Sequence, residues 1–189
     1  MRLLYATTNA AKIQFMKKRV EPLGIELLCL SDIDAPAFDI KESGNSPLEN
    51  AKIKALAYYG ELKMPLFSCD SGLYIEDLDD AKQPGVNVRG QDDIMSDEET
   101  IAYYSSLATE FGGSMTAWYQ NAIYLVLDKT RVFEYMGDDI TSERFLLVSK
   151  PHEKRREGFP LDSLSVNIGT GKYRSLLTRT YSSEIQLGT

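Results

Sequence analysis

Three stretches of this chain gather carboxylates, amides, hydroxyls and lysines. Thr7-Thr8-Asn9-Ala10-Ala11-Lys12 offers two hydroxyls, an amide and an ammonium immediately after the apolar Leu3-Leu4-Tyr5-Ala6. Glu42-Ser43-Gly44-Asn45-Ser46-Pro47-Leu48-Glu49-Asn50-Ala51-Lys52-Ile53-Lys54-Ala55 offers carboxylates, amides and lysines, and Phe67-Ser68-Cys69-Asp70-Ser71-Gly72-Leu73 sets one carboxylate between a thiol and a hydroxyl. A turn that exposes backbone N–H groups beside a lysine at a helix start is a favourable place for an anion.

The elements that must position these residues follow from apolar spacing and turn chemistry. Leu3 to Ala6 reads as a first strand, and Ile13, Met16, Val20 and Leu23 recur at helical spacing until Pro22-Leu23-Gly24 ends the segment. Thr8 or Asn9 can cap that helix. Ile25 to Leu30 reads as a second strand, followed by an acidic, proline-bearing loop through Asp32, Asp34, Pro36 and Asp39 to which no chemistry is assigned. Ser46-Pro47-Leu48-Glu49 spells a helix start, with serine as cap, proline at the first helical position and glutamate placed to return a hydrogen bond. On that helix Asn50 and Lys54 share one face and Leu48, Ala51, Ala55 and Tyr58 another, with Gly60 as a stop. Met64 to Phe67 reads as a third strand halted by Gly72, which presents Asp70 at a strand's carboxyl end, where open α/β sheets bind ligands. Asp97-Glu98-Glu99-Thr100 opens a further helix. Thr116 to Leu127 forms one or two strands, and Arg131 to Gly137 is their hairpin partner.

Composition narrows the classes. With 189 residues, 43% hydrophobic and 26% charged, the chain is globular and compatible with one α/β domain over residues 1–189. A net charge of -7 argues against broad binding to nucleic acid or to an anionic membrane, while a local basic pocket can still hold a nucleotide. One histidine and two distant cysteines, Cys29 and Cys69, provide no zinc-type cluster. The opening Met1-Arg2-Leu3-Leu4-Tyr5-Ala6 turns polar too early for a secretory apolar region or a membrane span, so a cytoplasmic protein with reduced thiols is expected.

Together the motifs resemble the inosine triphosphate pyrophosphatase family, whose members cut non-standard purine nucleoside triphosphates to monophosphate and pyrophosphate. The likeness lies in Thr7, Asn9 and Lys12, in Glu42 through Ala55, in Asp70-Ser71-Gly72-Leu73, and in Pro84-Gly85-Val86. It implies a long twisted mixed sheet flanked by helices, with the cleft at strand carboxyl ends, and a homodimer. It also implies Mg2+ held by Glu42 and Asp70, with Asp70 alternatively the general base, and a triphosphate neutralised by Lys12, Lys54 and Lys172. Thr7, Asn9 and Ser71 would donate hydrogen bonds.

The second half departs from the family pattern. The expected glycine-phenylalanine-glycine-tyrosine-aspartate-proline loop becomes Gly158-Phe159-Pro160-Leu161-Asp162-Ser163, and no serine-histidine-arginine triplet follows. Cys69 stands where the family has the first of two aspartates, and Arg89 falls one residue early after Pro84-Gly85. The only histidine, His152, lies in the charged run 150–157, where a solvated loop is the expectation, and Arg174 and Arg179 are nearest to where a purine-gripping arginine belongs. Two further readings therefore stand beside hydrolysis of deaminated purine triphosphates: a nucleotide-binding relative without efficient catalysis, and a pyrophosphatase with changed base preference.

Overall fold

The computed structural model describes residues 1–33, 35, 38, 40–90 and 94–177. Asp34, Pro36, Asp39 and Arg179 lie outside the described residues. The chain builds a seven-stranded mixed sheet flanked by helices, with strand order β2-β1-β3-β4-β6-β7 and β5 paired to β4. In chain order the elements are β1 (Arg2–Tyr5), α1 (Ala10–Val20), β2 (Glu26–Leu28), α2 (Pro47–Leu62), β3 (Leu66–Ile75), α3 (Asp97–Glu110), β4 (Ser114–Val126), β5 (Val132–Tyr135), β6 (Phe145–Val148) and β7 (Ser165–Asn167). Strands β2, β1 and β3 are parallel, and the remaining pairings are antiparallel.

The backbone of the fold is the ribbon of β3 and β4, paired without interruption from Leu66↔Val126 to Ile75↔Ala117. Because strand side chains alternate between faces, one face of its first half carries Leu66 and Tyr124, which pack with Ala51, Ala55 and Tyr58 of α2. The opposite face carries Phe67, Ile123 and Leu125, which pack with Leu3, Tyr5 and Ile13 on the α1 side. Farther along, Leu73, Ile75 and Met115 meet Ile101, Tyr104 and Ala108 of α3.

Two boundaries differ from the sequence expectation. Gly72 does not stop the third strand, and Asp70 sits mid-strand opposite Ala122. Gly72 serves a close approach instead: a Cβ there would lie 3.2 Å from the Gly85 carbonyl carbon, and Leu73 and Gly85 exchange backbone hydrogen bonds of 2.8 and 2.9 Å. Asp70 nevertheless lies just beyond the end of β1, whose pairing with β3 closes at Tyr5↔Phe67. Gly60 is likewise passed through, and α2 ends two residues later against Lys63, whose φ is 50°.

Candidate active site

The turn from β1 into α1 is shaped by Asn9. Its side-chain oxygen accepts from the N–H groups of Ala11 at 2.9 Å and Lys12 at 3.1 Å, and Thr7 Oγ1 accepts from Asn9 N–H at 3.3 Å. Asn9, not Thr8, is therefore the cap. Since it occupies two of the helix's first N–H groups, what the turn offers an anion is the Lys12 ammonium and an amino-terminal dipole with no acid in the first turn.

The Glu42 loop is strapped to α2. Ser46 caps the helix by accepting from Glu49 N–H at 3.2 Å, while the Glu49 carboxylate accepts from Asn45 N–H at 2.7 Å, one residue before the return bond expected from the sequence. Buried Asn50 accepts from Gly44 N–H at 2.8 Å. Gly44 has no room for a side chain, because a Cβ would fall 2.6 Å from Glu49 Cβ and 2.8 Å from Asn50 Oδ1. Gly44→Ala should therefore displace the loop and cost about 1–3 kcal/mol through overpacking. That corresponds to a drop of roughly 3–10 °C in Tm, read by thermal unfolding, with a loss of whatever activity depends on Glu42.

These straps deliver Glu42 to Lys54, one helical turn beyond Asn50, with Nζ 2.7 Å from Oε1. The Lys54 side chain is 13% exposed and that of Glu42 34%. Both act on Asp70. Burial pushes the Asp70 carboxyl above its usual range, Lys12 and Lys54 pull it back, Glu42 pushes it further up, and the Ser71 N–H favours the charged form. A carboxyl with a raised native pKa contributes stability at low pH that is lost as pH rises through that pKa. The Tm advantage of Asp70→Asn over the parent should accordingly widen from about pH 4 to about pH 7. Parallel melting curves across that range check the sign.

Cys69 points to the other face of β3, packed on the α1 side and hydrogen-bonded to the Tyr5 hydroxyl. Burial pushes its thiol up to about 11 against the opposing pull of Lys12, so at neutral pH it is an uncharged packing group rather than a substitute carboxylate or a nucleophile. Ser71 shares that face, and its hydroxyl donates to Asn121 at 2.7 Å. Asn121 in turn donates to the Ile140 carbonyl at 2.6 Å.

Lys12, Lys54, Glu42 and Asp70 are thus brought together, with Thr7 and Asn9 at the adjoining turn. The other candidates lie elsewhere. Lys172 is exposed in the turn after β7, where Asn167 N–H bonds its carbonyl at 2.9 Å. Among the described residues Lys172 forms no ion pair with Glu42 or Asp70. Arg89 is committed to Asp97 at 2.5 Å and to the Met95 carbonyl at 3.1 Å, tying its loop to the start of α3. Arg174 lies 4.2 Å over the Phe145 ring. His152 is half-buried rather than fully solvated, its ring tilted against that of Tyr173 with centroids 5.2 Å apart, and Nδ1 accepts from Lys154 N–H. Arg156, which the sequence places only in a charged run, pairs at 2.5 Å with Asp162 beside the Gly158 turn.

Among the described residues no three His, Cys, Asp or Glu side chains form a metal cage. Two carboxylates near enough to repel, facing a lysine pair, fit a hard cation that takes one or two carboxylates and completes its shell with phosphate and water, as magnesium does. They do not fit zinc.

A chain with a parallel β2-β1-β3 edge, a long β3-β4 ribbon and this cluster at their junction belongs with a known architecture. The fold matches that of a HAM1 protein from Coxiella burnetii with a TM-score of 0.72 over 95% of this chain and 88% of the other, at 22% identity. Residues 3–139 match the Ham1 family, and the chain belongs to that family. It is 40% identical over 86 residues to a dITP/XTP pyrophosphatase of Aquifex aeolicus, covering 46% of this chain and 40% of that protein. It is 30% identical over 132 residues to one from Geobacillus kaustophilus, covering 61% and 64%. The chain thus spans less than two thirds of the length of either relative. The family match ends before the Gly158 turn.

Proposed function

We propose that this chain is a magnesium-dependent nucleoside triphosphate pyrophosphatase that cuts the α,β phosphoanhydride, with deaminated purine nucleotides such as ITP and XTP as preferred substrates. The observation that carries this reading is the convergence of Lys12, Lys54 and Glu42 on the partly buried carboxyl of Asp70. The names of the relatives, dITP/XTP pyrophosphatase, support the substrate class.

In this reading Glu42 is the principal holder of the cation, with Asp70 beside it, and magnesium when bound supplies charge neutralisation to the phosphate oxygens. Burial raises the affinity of the Asp70 carboxylate for a proton, which equips it to take the proton of the attacking water. The water oxygen bonds to phosphorus, the bridging P–O bond breaks, and monophosphate and pyrophosphate leave. Lys12 and Lys54 hold the triphosphate, and Lys54 must exchange its Glu42 oxygen for a phosphate oxygen to do so. Thr7 and Asn9 shape the turn that receives it.

A changed base preference is the second reading, favoured by the altered loop Gly158-Phe159-Pro160-Leu161-Asp162-Ser163 and the lack of a serine-histidine-arginine triplet after it. The test is pyrophosphate release from inosine, xanthosine and the ordinary nucleoside triphosphates, with and without magnesium. Selective magnesium-dependent release from the deaminated purines supports the proposal, and release from another nucleotide set selects the second reading. Tight binding with no release from any of them identifies a nucleotide-binding relative and contradicts both.

A further inference from the structure

The turn at Gly158 lies beyond the family match, yet it rests on the candidate site. Gly158 has a φ of +75°, and a Cβ there would stand 3.3 Å from Asn9 Oδ1, 3.4 Å from Ala11 Cβ and 3.5 Å from Asn9 Nδ2. The turn is therefore seated directly on the cap whose oxygen holds the Ala11 and Lys12 N–H groups. Its own geometry is fixed by backbone bonds from Phe159 N–H to the Arg156 carbonyl at 3.0 Å and from Asp162 N–H to the Phe159 carbonyl at 3.1 Å.

Both ends of this turn meet in one guanidinium. Arg156 donates to Asp162 at 2.5 Å, to the Leu177 carbonyl at 2.8 Å and to the Arg174 carbonyl at 3.4 Å. The Asp162 side chain is 8% exposed and that of Arg156 25%. A planar fork that engages a carboxylate and two carbonyls at once fixes direction as well as distance, which an ammonium cannot reproduce. The fork anchors the turn to the segment after β7, so the spacing between the turn and α1 is set from the far side.

We infer that Arg156 and Asp162 clamp the Gly158–Phe159 turn over the amino end of α1, which makes Arg156 a positioning residue for the nucleotide site. This inference rests on the proposed pyrophosphatase reading. Arg156 touches no reacting atom and acts through Gly158, Asn9 and hence the start of α1 with Lys12. Its loss should loosen the place where phosphate is received more than it changes the chemistry at Asp70.

The experiment compares the parent with Arg156→Lys, Asp162→Asn and Gly158→Ala. Two readouts are taken: KM and kcat for ITP with magnesium, and hydrogen exchange of peptides covering residues 7–14 and 156–163 in the free protein. The clamp predicts a KM raised about tenfold or more with kcat within about threefold, and faster exchange in both peptides for Arg156→Lys. Gly158→Ala keeps the ion pair and should still speed exchange over residues 7–14. A charge swap, Arg156→Asp with Asp162→Arg, should not rescue, because the Leu177 and Arg174 carbonyls need the donor at position 156. Unchanged KM with unchanged exchange at residues 7–14 overturns the clamp, as does a lowered Tm with neither readout moved. If the parent turns over no triphosphate, the pyrophosphatase reading fails, and the exchange arm still decides the clamp.

Discussion

Asp70→Asn is expected to lower magnesium-dependent pyrophosphate release by about a thousandfold, in the range that removal of a positioned general base produces. It should do so in a protein at least as stable as the parent at neutral pH. Both expectations have one cause. The carboxyl is partly buried and its desolvation disfavours the charge, so ionised Asp70 costs stability that a neutral amide of the same shape does not. Two lysines, Lys12 and Lys54, offset part of that cost. Lost turnover with a retained or raised Tm separates a functional carboxylate from a structural one. Lost turnover with a collapsed Tm would mean that Asp70 is needed to fold.

Lys54→Met is expected to lower kcat/KM about tenfold to a hundredfold, the value of one charge-assisted bond of about 1.5–3 kcal/mol. The substitution has a second signature. Lys54 is one of the two cations that lower the Asp70 pKa, so its removal should move the acid limb of the pH–rate profile to higher pH. It also strips Glu42 of its ion-pair partner at 2.7 Å. A fall in kcat/KM without a shift of the acid limb would place Lys54 on the substrate alone.

The helix starts were legible because they rest on local chemistry, and the fold class and the four clustered residues because short motifs resemble those of a known family. Ser46 and Ser96 cap their helices, Asn9 caps α1, and Lys12, Glu42, Lys54 and Asp70 each fall in a short motif. The features that were not legible depend on partners distant in sequence. Gly72 reads as a stop by itself, but pairing with β4 carries the strand through it, and the Gly85 backbone explains the missing side chain. Ser71 reads as a hydroxyl beside Asp70, but strand alternation sends it to Asn121, fifty residues away. Arg156 reads as one more charge in a solvated run, and only the folded chain brings Asp162 and the Leu177 carbonyl to it.

The positive φ of Gly158 and the tight contacts of Gly44 make a related point. Neither glycine carries chemistry, yet each fixes a loop that bears on the cluster: Gly44 the Glu42 loop, and Gly158 the turn over Asn9. In both cases an apparently permissive residue is needed because another chain segment occupies the space that a side chain would take.

The most direct test of the central claim is the 31P spectrum of ITP and magnesium during turnover by the purified chain. Cleavage between the α and β phosphates predicts pyrophosphate and IMP rising together, with IDP absent and the signal lost in Asp70→Asn. Appearance of IDP with inorganic phosphate, or an unchanged ITP spectrum, would contradict it.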